Sequence, residues 1–340
     1  MLSSDAVPTA DEQSARARQL AAARRQYRAG YLAETFGTPA IAILLFVGFA
    51  LTSNIFASPA NVRNILIQIS VVGVAAIGET IVMLIGGLDL SVGAVVLLSS
   101  VVIAHLATRQ AVPIAAAVAA GLGAAALIGL LNGFLTAVVG IEPILATLGT
   151  LLVAAGGGKL LLNLSWIQVS DPFLKSLAQR NVVANLPVMV VVMLGLYLVT
   201  TLAMRQTPFG RAVYAIGGNR RAARLSGLSV TGVMIGAYAL GGLTAGIAGL
   251  LELGKLGIVS QNDGLGMEFQ AIIAALIGGL SVTAGGVGRV ERTLLGALIV
   301  GMIANYETIR GVPPTYQQAF LGGILLLAVV ADRLVRARRT

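Results

Sequence analysis

Ten stretches of this chain are long, apolar and almost free of charge: residues 39–57, 64–86, 90–107, 112–139, 143–163, 184–204, 231–251, 268–283, 293–310 and 317–335. About 20 such residues wound as an α-helix cross the hydrocarbon of a bilayer, where each backbone N–H and C=O must find its partner within the segment. The expected fold class is therefore an all-α integral membrane protein with about ten transmembrane helices. The two shortest stretches, 90–107 and 268–283, leave room for a broken or re-entrant helix. With 57% hydrophobic and 11% charged residues, the chain has too little polar surface for a soluble domain of its size. Its 42 glycines suit helices that approach closely in lipid. The absence of cysteine excludes disulfides, thiolate metal sites and thiol chemistry.

Charge orients the spans. With an even number of spans both termini share a side, and sixteen Lys and Arg fall there: in the N-terminal tail, in 205–230, at Arg289 and Arg292, and after Asp332. Six fall on the other side (Arg63, Arg109, Lys175, Arg180, Lys255 and Arg310), and Lys159 lies inside a span. Basic loops stay in the cytoplasm, so both termini and the 205–230 segment are expected there. This distribution accounts for the formal charge of +9 without nucleic acid as a partner, since no folded polar domain exists to bind it. Residues 1–38 read as a basic cytoplasmic tail. A capping box at Thr9–Glu12 would open a helix over Gln13–Tyr31 on anionic lipid, and a disordered tail fits equally. Residues 39–335 form the membrane domain and 336–340 a short basic tail. In the external loop 164–183, Trp166 reads as an interfacial anchor and Asp171-Pro172 as a turn, and the loop is too short for a receptor domain.

Polar residues inside spans are few. Glu79 sits mid-span, where a carboxylate must face protein or water; it reads as a pathway or gating group, or as a packing residue. In IGGLDLSVGAVV, Gly86-Gly87 breaks the helix, and Asp89 or Ser91 can cap the next one, leaving a pathway role open. Asn132 and Asn305 can bond helix to helix or meet a polar solute. His105 stands alone, without the ligand partners of a metal site. A related Gly-Gly-Leu stretch at Ile277–Gly288 hints at duplication.

The segment Arg205–Val230 holds five arginines and no acidic residue, far more than a connector needs. Thr207-Pro208 ends a span, and Gly217-Gly218 reads as a turn. Asn219 is a good N-cap for a helix of about 10 Å over Arg220–Ser226, and Gly227 a good stop. Ala222 and Ala223 beside Arg220, Arg221 and Arg224, with Leu225 and Ser226 following, make a compact knob suited to a groove on a partner; a basic loop resting on lipid headgroups fits the composition as well. No motor is visible. Gly156-Gly157-Gly158-Lys159 lacks the spacing of a phosphate-binding loop and lies inside a span, and no catalytic motif is present.

FGRAVYAIGGNRRAARLSGLSV resembles the main cytoplasmic loop of membrane permeases in the ribose-type branch of ATP-binding-cassette sugar importers. So do GETIVMLIGGLDLSVGAVV, the stretch EFQAIIAALIGGLSVTAGGVGRV from Glu268 and the closing LGGILLLAVVADR, in matching order from about residue 40 to 335. The resemblance implies a permease of the bacterial inner membrane that is not itself an enzyme and holds no cofactor. A second permease copy or close paralogue pairs with it, and two ATPase subunits, which bind ATP and Mg, grip the coupling helix Asn219–Gly227. A periplasmic or surface sugar-binding protein delivers a monosaccharide or similar solute. This chain departs from many relatives at Arg220, where they carry an acidic residue, at Arg292, where they carry glycine, and in the external loop 164–183. A proton- or ion-coupled secondary transporter using Glu79 and Asp89, and a channel or scaffold, are the competing expectations; neither needs a knob for a motor.

Overall fold

A computed structural model describes residues 36–163, 165–182, 185–281 and 285–337, so the expected basic helix over Gln13–Tyr31 lies outside the described residues. The helices are α1 (Phe36–Thr52), α2 (Pro59–Leu84), α3 (Val92–Arg109), α4 (Ile114–Phe134), α5 (Pro143–Leu162), α6 (Pro172–Gln179), α7 (Val188–Gln206), α8 (Pro208–Gly218), α9 (Arg220–Leu225), α10 (Val230–Leu256), α11 (Met267–Ile277), α12 (Val290–Ile309) and α13 (Pro314–Ala337). A helix overlies each of the ten apolar stretches. Among the described residues, six are long and apolar enough to cross a membrane: α2, α3, α4 with its π-helical extension to Val139, α5, α7 and α10. α11 has 11 residues and reaches about 16 Å, half of a hydrocarbon core.

Burial sorts the helices into layers. In α2, 83% of the most apolar window is buried, against 22% in α4 and 28% in α5 and α7. An apolar helix buried all round is a central one, and α2 is that element. α10 packs against it at Gly78, where any side chain would overlap Thr244 and come within 2.7 Å of the Gly241 Cα. α4 reaches α10 in the same way, since a Cβ on Gly242 would lie 2.9 Å from the Gly129 Cα. The outer helices turn Leu127, Leu152, Leu160 and Leu198 outward, as a lipid-facing wall requires.

Two helix ends share one capping device. After α2, Gly86 adopts φ +81° and the Gly87 N–H reaches the Val82 carbonyl at 2.9 Å. After α11, Gly279 adopts φ +93° and the Leu280 N–H reaches Ala275 at 3.1 Å. The Gly-Gly-Leu echo is thus the same left-handed stop, used one residue apart.

Segments expected on one side of the membrane gather at one end of the bundle. Arg205, at the end of α7, pairs with Glu291 in the first turn of α12. The Tyr214 hydroxyl donates to the Gly288 carbonyl at 3.2 Å, and Gly286 N–H donates to the Leu84 carbonyl at 2.7 Å. At the opposite end Arg63 donates to the Ala178 carbonyl, Arg109 to Ser165 and Arg310 to the Thr52 carbonyl. That end also holds a two-stranded antiparallel ribbon, β1 (Ile167–Gln168) and β2 (Ile258–Val259), with Ile167 opposite Val259.

Three local expectations need correction. Gly217-Gly218 does not turn the chain, because both lie in the last turn of α8 and the break falls at Asn219. Asp171-Pro172 starts a helix, α6: Asp171 accepts from the Phe173 N–H at 2.8 Å, and Leu174 and Leu177 seal the helix onto the bundle. The helix after Asn219 stops at Leu225, with Ser226 as its C-cap.

Candidate functional site

The turn between α2 and α3 folds back into the bundle and collects four of the five singled-out intramembrane polar residues. Glu79, Asp89, Ser91 and Asn132 are all buried there. Asp89 N–H donates to Glu79 Oε1 at 3.3 Å. Asp89 Oδ1 accepts from the Ser91 backbone N–H at 2.9 Å and from the Ser91 hydroxyl at 2.5 Å. Asn132 Nδ2 donates to Ser91 Oγ at 2.9 Å and lies 3.4 Å from Asp89 Oδ1. The Thr150 hydroxyl completes the set by donating to Asn132 Oδ1 at 2.6 Å. Helices α2, α3, α4 and α5 are thereby laced together through side chains.

The expected helix cap takes a different form. Ser91 is the N-cap residue of α3, but its side chain caps no amide of that helix. Its hydroxyl turns to Asp89, and Asp89 stabilises the turn before the helix by accepting the Ser91 amide. Glu79 Oε2 and the Tyr238 hydroxyl are buried with no hydrogen-bond partner among the described residues. No basic side chain pairs with either carboxylate among the described residues.

Asn305 is not part of this cluster. It forms a reciprocal amide pair with Asn61 at 2.9 and 3.0 Å, joining α12 to the start of α2. Asn61 also donates to the Phe56 carbonyl at 2.8 Å, so both amides are consumed by helix packing. Thr147 and Thr150 belong to the polar set yet escaped the sequence reading. Their signal is weak: two hydroxyls one helical turn apart in an otherwise apolar span.

The second candidate element is α9. Asn219 Oδ1 accepts from the Ala222 N–H at 2.9 Å, the expected N-cap bond, and Gly227 adopts φ +81° beyond the helix. The Leu228 N–H closes that end on the Ala223 carbonyl at 3.2 Å. Ala223 faces the bundle and is buried. Arg220, Arg221, Ala222, Arg224, Leu225 and Ser226 are exposed, and Leu225 is 82% open to solvent. The helix thus presents three arginines and one open apolar side chain on its exposed face.

α8 ties this element to the turn that carries Asp89. Gly217 packs directly on the Leu84 carbonyl and on Gly286, and a side chain on Gly217 would overlap both. Gly285 approaches in turn: its Cβ would lie 2.9 Å from the Gly217 Cα and 3.0 Å from the Gly86 nitrogen. Burial and the neighbouring Glu291 carboxylate raise the Tyr214 phenol above its ordinary range, which keeps it a neutral donor to Gly288 in this contact.

The protein-family profile described as "Branched-chain amino acid transport system / permease component" matches residues 61–329. The chain is 34% identical over 328 residues to the ribose import permease protein of Escherichia coli (strain K12), covering 92% of this chain and 98% of that protein. It is 34% identical over 288 residues to the fructose import permease protein of Rhizobium meliloti, covering 83% and 80%. It is 31% identical over 321 residues to the L-arabinose ABC transporter permease protein of Azospirillum brasilense, covering 94% of each. No solved structure matches the chain.

Proposed function

This chain belongs to the family of transport-system permease components, in its ribose-type branch, and from that we propose that it is the membrane-spanning subunit of an ATP-binding-cassette importer for a monosaccharide or similar small polar solute. The observation that carries this reading is likeness over nearly the whole length to permeases named for ribose, fructose and arabinose. The family description names branched-chain amino acids, but these individual relatives narrow the solute to sugars.

On this reading the chain makes ten spans in the bacterial inner membrane, with both termini cytoplasmic. It pairs with a second copy or close paralogue and receives solute from a separate binding protein. Two ATPase subunits bind ATP and Mg and dock on Asn219–Gly227. The exposed face of α9 supports that docking, as does its short path through α8 to Leu84 and the polar turn. Glu79 and Asp89 hold the turn in place while the bundle changes access. A secondary transporter using these two carboxylates as ion sites is the alternative. It is disfavoured by their burial, at 0 and 2% exposure, and by the hydrogen bonds that commit Asp89 to the turn.

The test is uptake into proteoliposomes holding the permease together with an ATPase and a binding protein from the same organism. ATP inside the vesicle should drive accumulation of ribose, arabinose, fructose or allose, and an uncoupler should leave it intact. Uptake that ignores ATP and collapses with the uncoupler overturns the proposal.

A further inference from the structure

Between α11, α12 and α13 lies a cavity of about 530 Å³ whose lining includes Glu268, Gln270, Glu307, Gln317 and Gln318. It opens at the end of the bundle away from α9, because Glu307 lies near the end of α12 and the two glutamines near the start of α13. Glu268 is turned inward, its carboxylate packed against Gly93 of α3. Gln317 donates through Nε2 to the Val312 carbonyl at 2.8 Å, and its own side-chain oxygen has no hydrogen-bond partner among the described residues. The side chains of Glu307 and Gln318 form no hydrogen bond or ion pair among the described residues.

A second cavity, of about 400 Å³ between α1, α2 and α12, is walled by Ile43, Phe46, Leu66, Leu298 and Met302 and suits an acyl chain. The first one does not. Near the ends of α12 and α13 this carboxylate and these amides face water or a polar solute and not the hydrocarbon. The volume is that of a small-molecule site. The donor and acceptor set fits hydroxyl groups, since a carboxylate accepts from them and an amide does both. Val300, Ile303 and Ile324 supply an apolar floor for C–H surface. No Lys or Arg lines the cavity among the described residues, so it offers no positive charge to the carboxylate of an amino acid or to another anion.

We propose that this cavity is a binding site for the transported neutral polyol on the permease itself, with Glu307, Gln317 and Gln318 as its hydrogen-bonding groups. The inference rests on the importer reading above and locates where that solute sits.

The natural chain has no cysteine, so single cysteines report cleanly. Gln318→Cys and, as a control on α6, Lys175→Cys are placed in the assembled importer and labelled with a membrane-impermeant maleimide. Ribose, arabinose, fructose and allose are then added in turn. The sugar that the wild-type importer accumulates should slow labelling of Gln318→Cys about tenfold at ten times its dissociation constant, by mass action. Lys175→Cys should be unaffected. Adding Glu307→Ala should raise the half-protecting concentration about tenfold, the equivalent of one hydrogen bond to a charged group. If Gln318→Cys is unreactive because a second copy or lipid covers it, or reacts at one rate with and without the accumulated sugar, the site is wrong while the importer stands. If the wild-type importer accumulates none of the four with ATP, the importer reading itself has failed.

Discussion

Asp89 and Glu79, ten positions apart, are joined by a hydrogen bond from the Asp89 N–H to Glu79 Oε1 at 3.3 Å, so the end of α2 and the turn after it are held as one unit. Glu79→Gln keeps an acceptor for that N–H but replaces the carboxylate's other oxygen with a donor. Transport should fall several-fold more than the amount of assembled permease does. Uptake per assembled complex measures it, and equal losses in both would reduce Glu79 to a packing residue. Glu79→Ala should instead lose assembled protein, because it leaves a buried N–H unpaired at about 1–3 kcal/mol.

The two asparagines should behave differently. Asn61 and Asn305 satisfy each other, so Asn305→Leu alone strands a buried amide and lowers the melting temperature. Asn61→Leu with Asn305→Leu together should recover much of that loss, a coupling of about 1 kcal/mol or more in a double-mutant cycle. Additive losses would show that the amides do not depend on one another.

On α9, Ala222 is exposed and Ala223 buried. Ala222→Glu with Arg224→Glu should abolish ATP-driven uptake in proteoliposomes and leave melting unchanged. Ala223→Glu should lower stability by about 2 kcal/mol or more, as for a carboxylate forced into a packed face. Unchanged uptake by the double variant would remove α9 from the coupling role.

Adjacent glycines in α8 give a sharper contrast. Gly217→Ala drives a methyl group into the backbone of Leu84 and Gly286, whereas a Cβ on Gly218 meets nothing within 4 Å. Gly217→Ala should cost about 1–3 kcal/mol of stability or force α8 off the turn, and Gly218→Ala should be tolerated. Thermal melting of the two variants in detergent compares them, and equal melting would mean that α8 does not bear on the α2–α3 turn.

Much of the fold is legible in the sequence. Local rules sufficed for the helix over each apolar stretch, for the shortness of 268–283, and for Asn219 as the N-cap of α9 with Gly227 as the left-handed residue beyond it, although the helix itself stops at Leu225, one residue short of the expected Ser226. They failed at Gly217-Gly218, where two glycines read as a turn are kept because three backbone segments meet there. They failed again at Asp171, whose helix is amphipathic and needs the bundle beneath it. The polar groups near Glu307 went unnoticed because each stands near the end of its helix, where a polar residue is ordinary.

The sequence by itself determined a helical membrane protein, its likeness to a permease family, and the residues able to carry charge inside the spans. Only the tertiary structure decided which of those residues meet. Glu79, Asp89, Ser91 and Asn132 lie on two helices and the turn between α2 and α3, and they converge because Gly78, Gly129, Gly241 and Gly242 let α2, α4 and α10 pack backbone to backbone. Asn305, of the same type as Asn132, was drawn to Asn61 instead. Hydropathy depends on each segment alone, whereas a hydrogen bond between helices depends on the distance and rotation that packing imposes on both.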